Sequence, residues 1–298
     1  MTISRLSILH LLWWQRKNVL IFAWLSTAVV LAEELTGEVA GLLPDMPVSV
    51  LGAAIGIFVT FRTNSAYNRW WEARTLWGGL VNASRHFADQ AIAYGPDADA
   101  ASRAVLRQAL YPHVLRCALR GGALEQDQDV CTTARDASVD LDQLHTSATS
   151  SLLREQHLEV TRWANEHGMD ERRLQSLDDT LRVVLDVQGG CERIKNTSLP
   201  SGYGFIAEAL VRTYAIILPL AVVGRLHWLA LPVSILVCLA FKLISEVGRV
   251  LEDPFTPTWE ALPLLTLCRT IERDLREAVG SDARPVPAPR AHPVVGNK

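Results

Sequence analysis

The sequence lacks what catalysis usually needs. None of GxSxG, a Walker A loop, HExxH or GxGxxG occurs in its 298 residues, which removes the common nucleophile, phosphate and zinc motifs. Eight histidines are scattered singly, each a better fit to a surface or core position than to a metal ligand. The five cysteines, Cys117, Cys131, Cys191, Cys238 and Cys268, are an odd number without a CxxC pair, so neither a zinc site nor a disulfide framework follows. They read as reduced, buried thiols. Basic excess is missing too: 29 Lys and Arg stand against 32 Asp and Glu, a net charge of −3, with no field to hold nucleic acid. The chain is not read as an enzyme, and no cofactor, metal or nucleic-acid partner is expected.

What the sequence has is bunched apolar residues. Residues 18–32 (NVLIFAWLSTAVVLA) and 46–61 (MPVSVLGAAIGIFVTF) carry no charge. Each makes roughly 24 Å of helix, short of the ~30 Å hydrocarbon core. Flanking residues must extend both, with Arg16, Lys17 and Arg62 snorkelling to the headgroups. A second block reads FIAEALVRTYAIILPLAVVG, then Arg225 and His227, then WLALPVSILVCLAFKLIS, a hairpin of two spanning helices. Glu208 and Arg212 are four apart and face one another on a helix, either as a boundary pair or as pore-lining charge. Arg5, Arg16 and Lys17 precede the first span, whereas the following loop carries Glu33, Glu34, Glu38 and Asp45 and no Lys or Arg. The positive-inside rule then leaves both termini cytoplasmic and the acidic loop outside.

Between the blocks, apolar residues recur at three- and four-residue intervals, as in LWGGLVNASRHFADQAIA and LRQALYPHVLRCALR, so this region is helical. Gly95-Pro96, Gly121-Gly122 and the polar stretch 126–150 supply breaks. After the last span, a proline-bearing stretch leads into an amphipathic helix whose apolar face suits packing on the central segment. The division is therefore 1–62, an N-terminal segment with two spans; 63–202, a cytosolic helical region; 203–246, two further spans; 247–280, a cytosolic C-terminal segment; and 281–298, a Pro-rich tail expected to be disordered.

In the second span, Gly52 and Gly56 allow close helix approach. Beside them Ala53, Ile57 and Phe61 fall at i, i+4 and i+8 on one stripe. The stripe serves either helix packing or, around an oligomer axis, a hydrophobic constriction that gates by dewetting.

From Arg62 the chain continues RTNSAYNRWWEARTLWGGLVNASR, and there it resembles the bestrophin family, especially its bacterial branch. CERIKNTSLPSGY at 191–203, EVGRVLEDPF at 246–255 and LPLLTLCRTIE at 262–272 agree, and the resemblance covers about residues 5–280. It implies an all-α, polytopic homopentamer with four transmembrane helices per subunit, a helical cytosolic region and an ion pathway on the fivefold axis, in a bacterial inner membrane. Its partners would be copies of itself, membrane lipids and permeant monovalent ions. Counted back from Arg69-Trp70-Trp71, the family's neck positions fall on Ala53, Ile57 and Phe61, with Ala53 smaller than the residue usual at the outermost level. Arg69 is expected to anchor the pore helix to the cytosolic region, with Trp70 and Trp71 at the interface. A second, cytosolic constriction is expected, with Leu174 as its candidate. The acidic cluster of calcium-activated relatives is missing after Pro254-Phe255, and Glu252, Asp253 and Glu260 supply few oxygen ligands; calcium activation is not expected. Around a fivefold mouth, Glu33, Glu34, Glu38 and Asp45 would concentrate cations, so a cation preference is expected. The alternatives are an anion-selective bestrophin channel and a non-conducting membrane scaffold or sensor.

Overall fold

A computed structural model of the chain describes residues 15–42, 47–144, 147–258, 261–282 and 285–286. The regular elements among them are helices: α1 (Arg16–Thr36), α2 (Val48–Tyr94), α3 (Ala98–Arg120), α4 (Gln128–Asp136), α5 (Ala148–His167), α6 (Glu171–Asn196), α7 (Ser201–Leu226), α8 (Ala230–Leu251) and α9 (Leu264–Ala278), with short 3₁₀ turns between some of them. Most of the expected tail, residues 283–284 and 287–298, lies outside the described residues, as do Arg5, Asp45, Trp259 and Glu260.

Three helical stretches among the described residues are long and apolar enough to cross a membrane: Arg16–Thr36, Val48–Tyr94 and Gly204–Leu251. The flanks do extend the uncharged runs. The 21 residues of α1 rise about 31 Å, enough for the hydrocarbon core. The third stretch holds two helices, because α7 ends at the 3₁₀ turn His227–Leu229 and α8 begins directly after it. His227 has φ +45° and ψ −125°, outside the helical regions, which stops α7. Helix α2 is longer than the apolar run that starts it, continuing for 47 residues to Tyr94.

The chain forms two compact units. One contains the described residues up to Arg69 together with Ser198–Glu252; the other contains Trp70–Thr197 and the described residues from Asp253 onward. In the first, Phe22 of α1, Ile55 and Val59 of α2, Val211, Tyr214 and Leu218 of α7 and Cys238 of α8 share one buried cluster. Both glycines of the small-residue pair face inward. A Cβ on Gly52 would stand 2.6 Å from the Tyr214 hydroxyl oxygen, and one on Gly56 3.4 Å from Phe241. This pair serves packing within the chain.

In the second unit, Trp77, Leu80 and Phe87 of α2 pack with Leu110 and Leu115 of α3, Leu152 of α5, Leu177 and Leu181 of α6, and Ile271 and Leu275 of α9. Burying each such side chain stabilises by about 1.5–3 kcal/mol relative to leaving it exposed. Helix α3 starts where the Asp97 carboxylate accepts from the Ala100 N–H at 2.7 Å. As the periodicity predicts, α9 lays its apolar face on α3, where the Cys268 thiol donates to the Pro112 carbonyl at 3.2 Å. The stretch 126–150 is not simply a break. Asp127 caps α4 by accepting from the Asp129 and Val130 N–H groups, and Val130 and Ala134 are buried; a helix this short offers too few apolar residues to stand out by composition. Four cysteines are buried and Cys131 is half-buried, all as free thiols. Burial pushes the Cys191 and Cys268 thiols up to about 12, so neither is a reactive thiolate.

Candidate functional site

Helix α2 has two chemically distinct faces over its first twenty residues. Val48, Ile55, Val59, Arg62 and Ala66 are buried. Ala53, Ile57 and Phe61 are exposed, Ile57 by 59% and Phe61 by 68%. Four residues rise about 6 Å along a helix and turn it about 40° past one revolution, so the three side chains climb about 12 Å as a gently slanting stripe. Asn64 and Asn68 are also exposed and extend that face with carboxamides.

The opposite face is held by charge. Arg62 donates from Nε (3.2 Å) and Nη2 (2.9 Å) to Oε1 of Glu252 and from Nη1 to the Ser245 hydroxyl at 3.3 Å. Arg62 therefore does not snorkel as expected; it is 6% exposed and fastens α2 to the end of α8. Its place beside an apolar run suggested lipid, because the partner Glu252 lies 190 residues away in sequence. The next residue and one two turns on reinforce the tie: Thr63 Oγ1 donates to the Ile244 carbonyl at 3.2 Å, and Arg69 Nε to the Glu252 carbonyl at 2.7 Å. Arg69 is thus an anchor, but to the end of α8 in its own unit. Trp70 and Trp71 stand side by side with ring centroids 6.4 Å apart.

Beyond α8, Asp253 is similarly committed. Its carboxylate accepts from Lys195 Nζ at 2.8 Å, from the Thr256 hydroxyl at 2.5 Å and from the Phe255 N–H at 3.1 Å. Partial burial works to raise its pKa, but the bonds from Lys195, Thr256 and the Phe255 N–H outweigh it and hold the carboxyl below the usual range. Glu252 and Asp253 are both engaged by protein groups, and no cluster of three or more His, Cys, Asp or Glu able to hold a metal is found among the described residues.

The acidic residues after α1 divide. Glu33 folds back so that Oε2 accepts from the Ala40 N–H at 2.8 Å, closing the turn after Gly37, where φ is +66°. Glu34 and Glu38 are exposed. Leu174, in the first turn of α6, is half-buried against the core of the second unit. Apart from the charge types themselves, nothing in the local spacing signals that Arg62, Ser245 and Glu252 meet, since Arg62 lies 183 and 190 residues from its two partners.

A family model described as Bacterial/Fungal Bestrophin protein matches residues 2–277. The voltage-dependent anion channel-forming protein YneE of Salmonella typhi is 34% identical over 254 residues, covering 82% of this chain and 79% of that protein. The voltage-dependent anion channel-forming protein mll4386 of Mesorhizobium japonicum is 31% identical, covering 80% and 77%. Among solved structures, the fold is similar to a bacterial bestrophin homolog from Klebsiella pneumoniae, with a TM-score of 0.79, 28% identity, and coverage of 89% of this chain and 98% of that one. Spanning nearly the whole molecule, and joined to helices built to cross a membrane, these matches establish that the chain belongs to the bacterial and fungal bestrophin family, whose members are channels and not enzymes.

Proposed function

We propose that five copies of the chain surround a water-filled axis in the bacterial inner membrane and conduct monovalent ions, with α2 of each copy lining the neck through Ala53, Ile57 and Phe61. One observation carries this reading: the apolar stripe is exposed on a helix whose other face is fully engaged, and the same face continues into Asn64 and Asn68. Lipid has no use for two carboxamides in line with that stripe, whereas a wet axis hydrates them. Apolar rings narrow the passage and gate it by dewetting, and Ala53 makes the outer level the widest. Helices α1, α2, α7 and α8 are the four membrane-crossing segments, with both chain ends cytoplasmic.

The neck carries no charge, so it sets no ion sign by itself. Anion preference is the reading favoured here, because relatives 34% and 31% identical are named as anion channel-forming proteins and the Asn64 and Asn68 amides offer N–H donors along the path. Exposed Glu34 and Glu38 favour the second reading, a cation preference, since repeated around a mouth they attract cations. The test is the reversal potential of the reconstituted protein in a sodium chloride gradient. A value near the chloride equilibrium supports anion conduction, and one near the sodium equilibrium supports the acidic-mouth reading. Absence of ion flux in the native protein and also in Ile57→Ala and Phe61→Ala variants would refute conduction altogether.

A further inference from the structure

Within the membrane-helix unit, two cations converge on a single carboxylate oxygen. Glu208 Oε1 accepts from Arg212 Nη2 at 3.0 Å and from Lys242 Nζ at 2.8 Å. The i, i+4 pair foreseen from sequence is therefore only half of the arrangement. These residues line a cleft of about 350 Å³ between α1, α7 and α8, together with Asn18, Ile21 and Val211. It lies at the ends of the helices, beside the first turn of α1, the second turn of α7 and the last turns of α8.

One cation neutralises one carboxylate, so the formal charge left in the cleft is +1. At the edge of a hydrocarbon layer such an excess cation reaches toward the headgroups, where an anion can meet it. The donors are also underused. A guanidinium has five N–H bonds and an ammonium three, yet among the described residues Arg212 and Lys242 each direct one bond to Glu208. The Lys242 side chain is mostly buried and that of Arg212 largely exposed, so the cleft has a fixed inner cation and an adjustable outer one. The cations share the cleft with an apolar wall. A small soluble anion has no use for that wall, whereas an anionic lipid pairs a phosphodiester with an acyl chain, and basic pockets between membrane helices suit such headgroups.

We propose that this cleft binds an anionic phospholipid, the phosphodiester oxygens accepting from Arg212 and Lys242 and the acyl chain lying along the exposed Ile21. Zwitterionic lipids bring their own cation and gain little. The site needs only membrane residence, so it is independent of whether or which ions flow.

The test is native mass spectrometry of the purified full chain in detergent, titrated with phosphatidylglycerol or with phosphatidylcholine of the same acyl chains. Phosphatidylglycerol should bind more tightly, and Arg212→Gln should weaken it about fivefold while leaving phosphatidylcholine unchanged, the worth of one basic residue at a lipid surface. Arg212→Lys should restore most of the preference, and Glu208→Gln, which removes the competing carboxylate, should strengthen it. Because Arg212 is exposed, its variants carry the test even where Lys242→Gln fails to fold. Equal binding of the two lipids, or a preference that survives Arg212→Gln, overturns the proposal. Displacement of phosphatidylglycerol by an equal concentration of glycerol phosphate overturns it in favour of a soluble anion site.

Discussion

The tie between Arg62 and Glu252 is the place to strain α2 from behind its exposed stripe. The Arg62 side chain is 5% exposed and that of Glu252 30%, so the two ends of the bridge should respond unequally. Glu252→Ala leaves a guanidinium buried with the Ser245 oxygens as its remaining contacts. Breaking a fully buried pair by removing one partner costs about 3–5 kcal/mol, and the value here belongs near the lower end, about 3 kcal/mol, because water reaches the emptied side. Arg62→Met keeps an apolar side chain of similar length, and the freed carboxylate turns to solvent; the expected cost is about 1 kcal/mol. The double variant should cost less than the sum, with a coupling of about 2 kcal/mol. Reversible unfolding of the detergent-solubilised protein, followed by tryptophan fluorescence, measures all four corners of the cycle. A coupling below about 0.5 kcal/mol, typical of exposed pairs, would refute the assignment of this bridge as the link between α2 and α8.

Other outcomes follow from the same geometry. Single-channel recordings of Ile57→Ala and Phe61→Ala should show raised conductance with ion preference little changed; unaltered currents would mean the stripe does not line the path. Asp253 has a depressed pKa, so its contribution to stability is complete above about pH 4, the unfolded value, and is lost as the pH falls through the lower folded value. The gap in melting temperature between the native chain and Asp253→Asn should therefore close on acidification, and a gap that widens would reverse the sign of this reasoning. Glu33→Gln should lower stability by loosening the turn at Ala40 while leaving the reversal potential alone, whereas Glu38→Gln should do the opposite. A Cβ at position 248 would meet Thr63 Oγ1 at 2.9 Å and Thr63 Cα at 3.3 Å; Gly248→Val should cost about 1–3 kcal/mol, read from the same unfolding curves.

Much of this was readable from the residues alone. The uncharged runs at 18–32 and 46–61 announced membrane helices, and the i, i+4, i+8 spacing of Ala53, Ile57 and Phe61 announced a common face, because both depend only on local periodicity. What was not legible depended on partners distant in the chain. Arg62 borders an apolar run, which made it look like a headgroup anchor, and only the return of α8 supplies Glu252. Lys242 joins Glu208 and Arg212 across two helices, a meeting no local spacing encodes. Glu33 looked like free mouth charge because a carboxylate that closes a turn and one that faces water have the same sequence signature. Helix α4 escaped notice for another reason: its cap, Asp127, lies within a run of polar residues where capping and solvation look alike.

The unbroken course of α2 has a consequence for how such a chain tolerates change. Between Val48 and Tyr94 the helix has no loop in which an added or lost residue can be absorbed. One residue inserted between Trp77 and Leu80 would rotate Leu80 and Phe87 by about 100° relative to Trp77, so the three could no longer all keep their buried positions. This segment can vary by exchange of side chains but not by length, and the first natural site for an insertion is the Gly95-Pro96 corner.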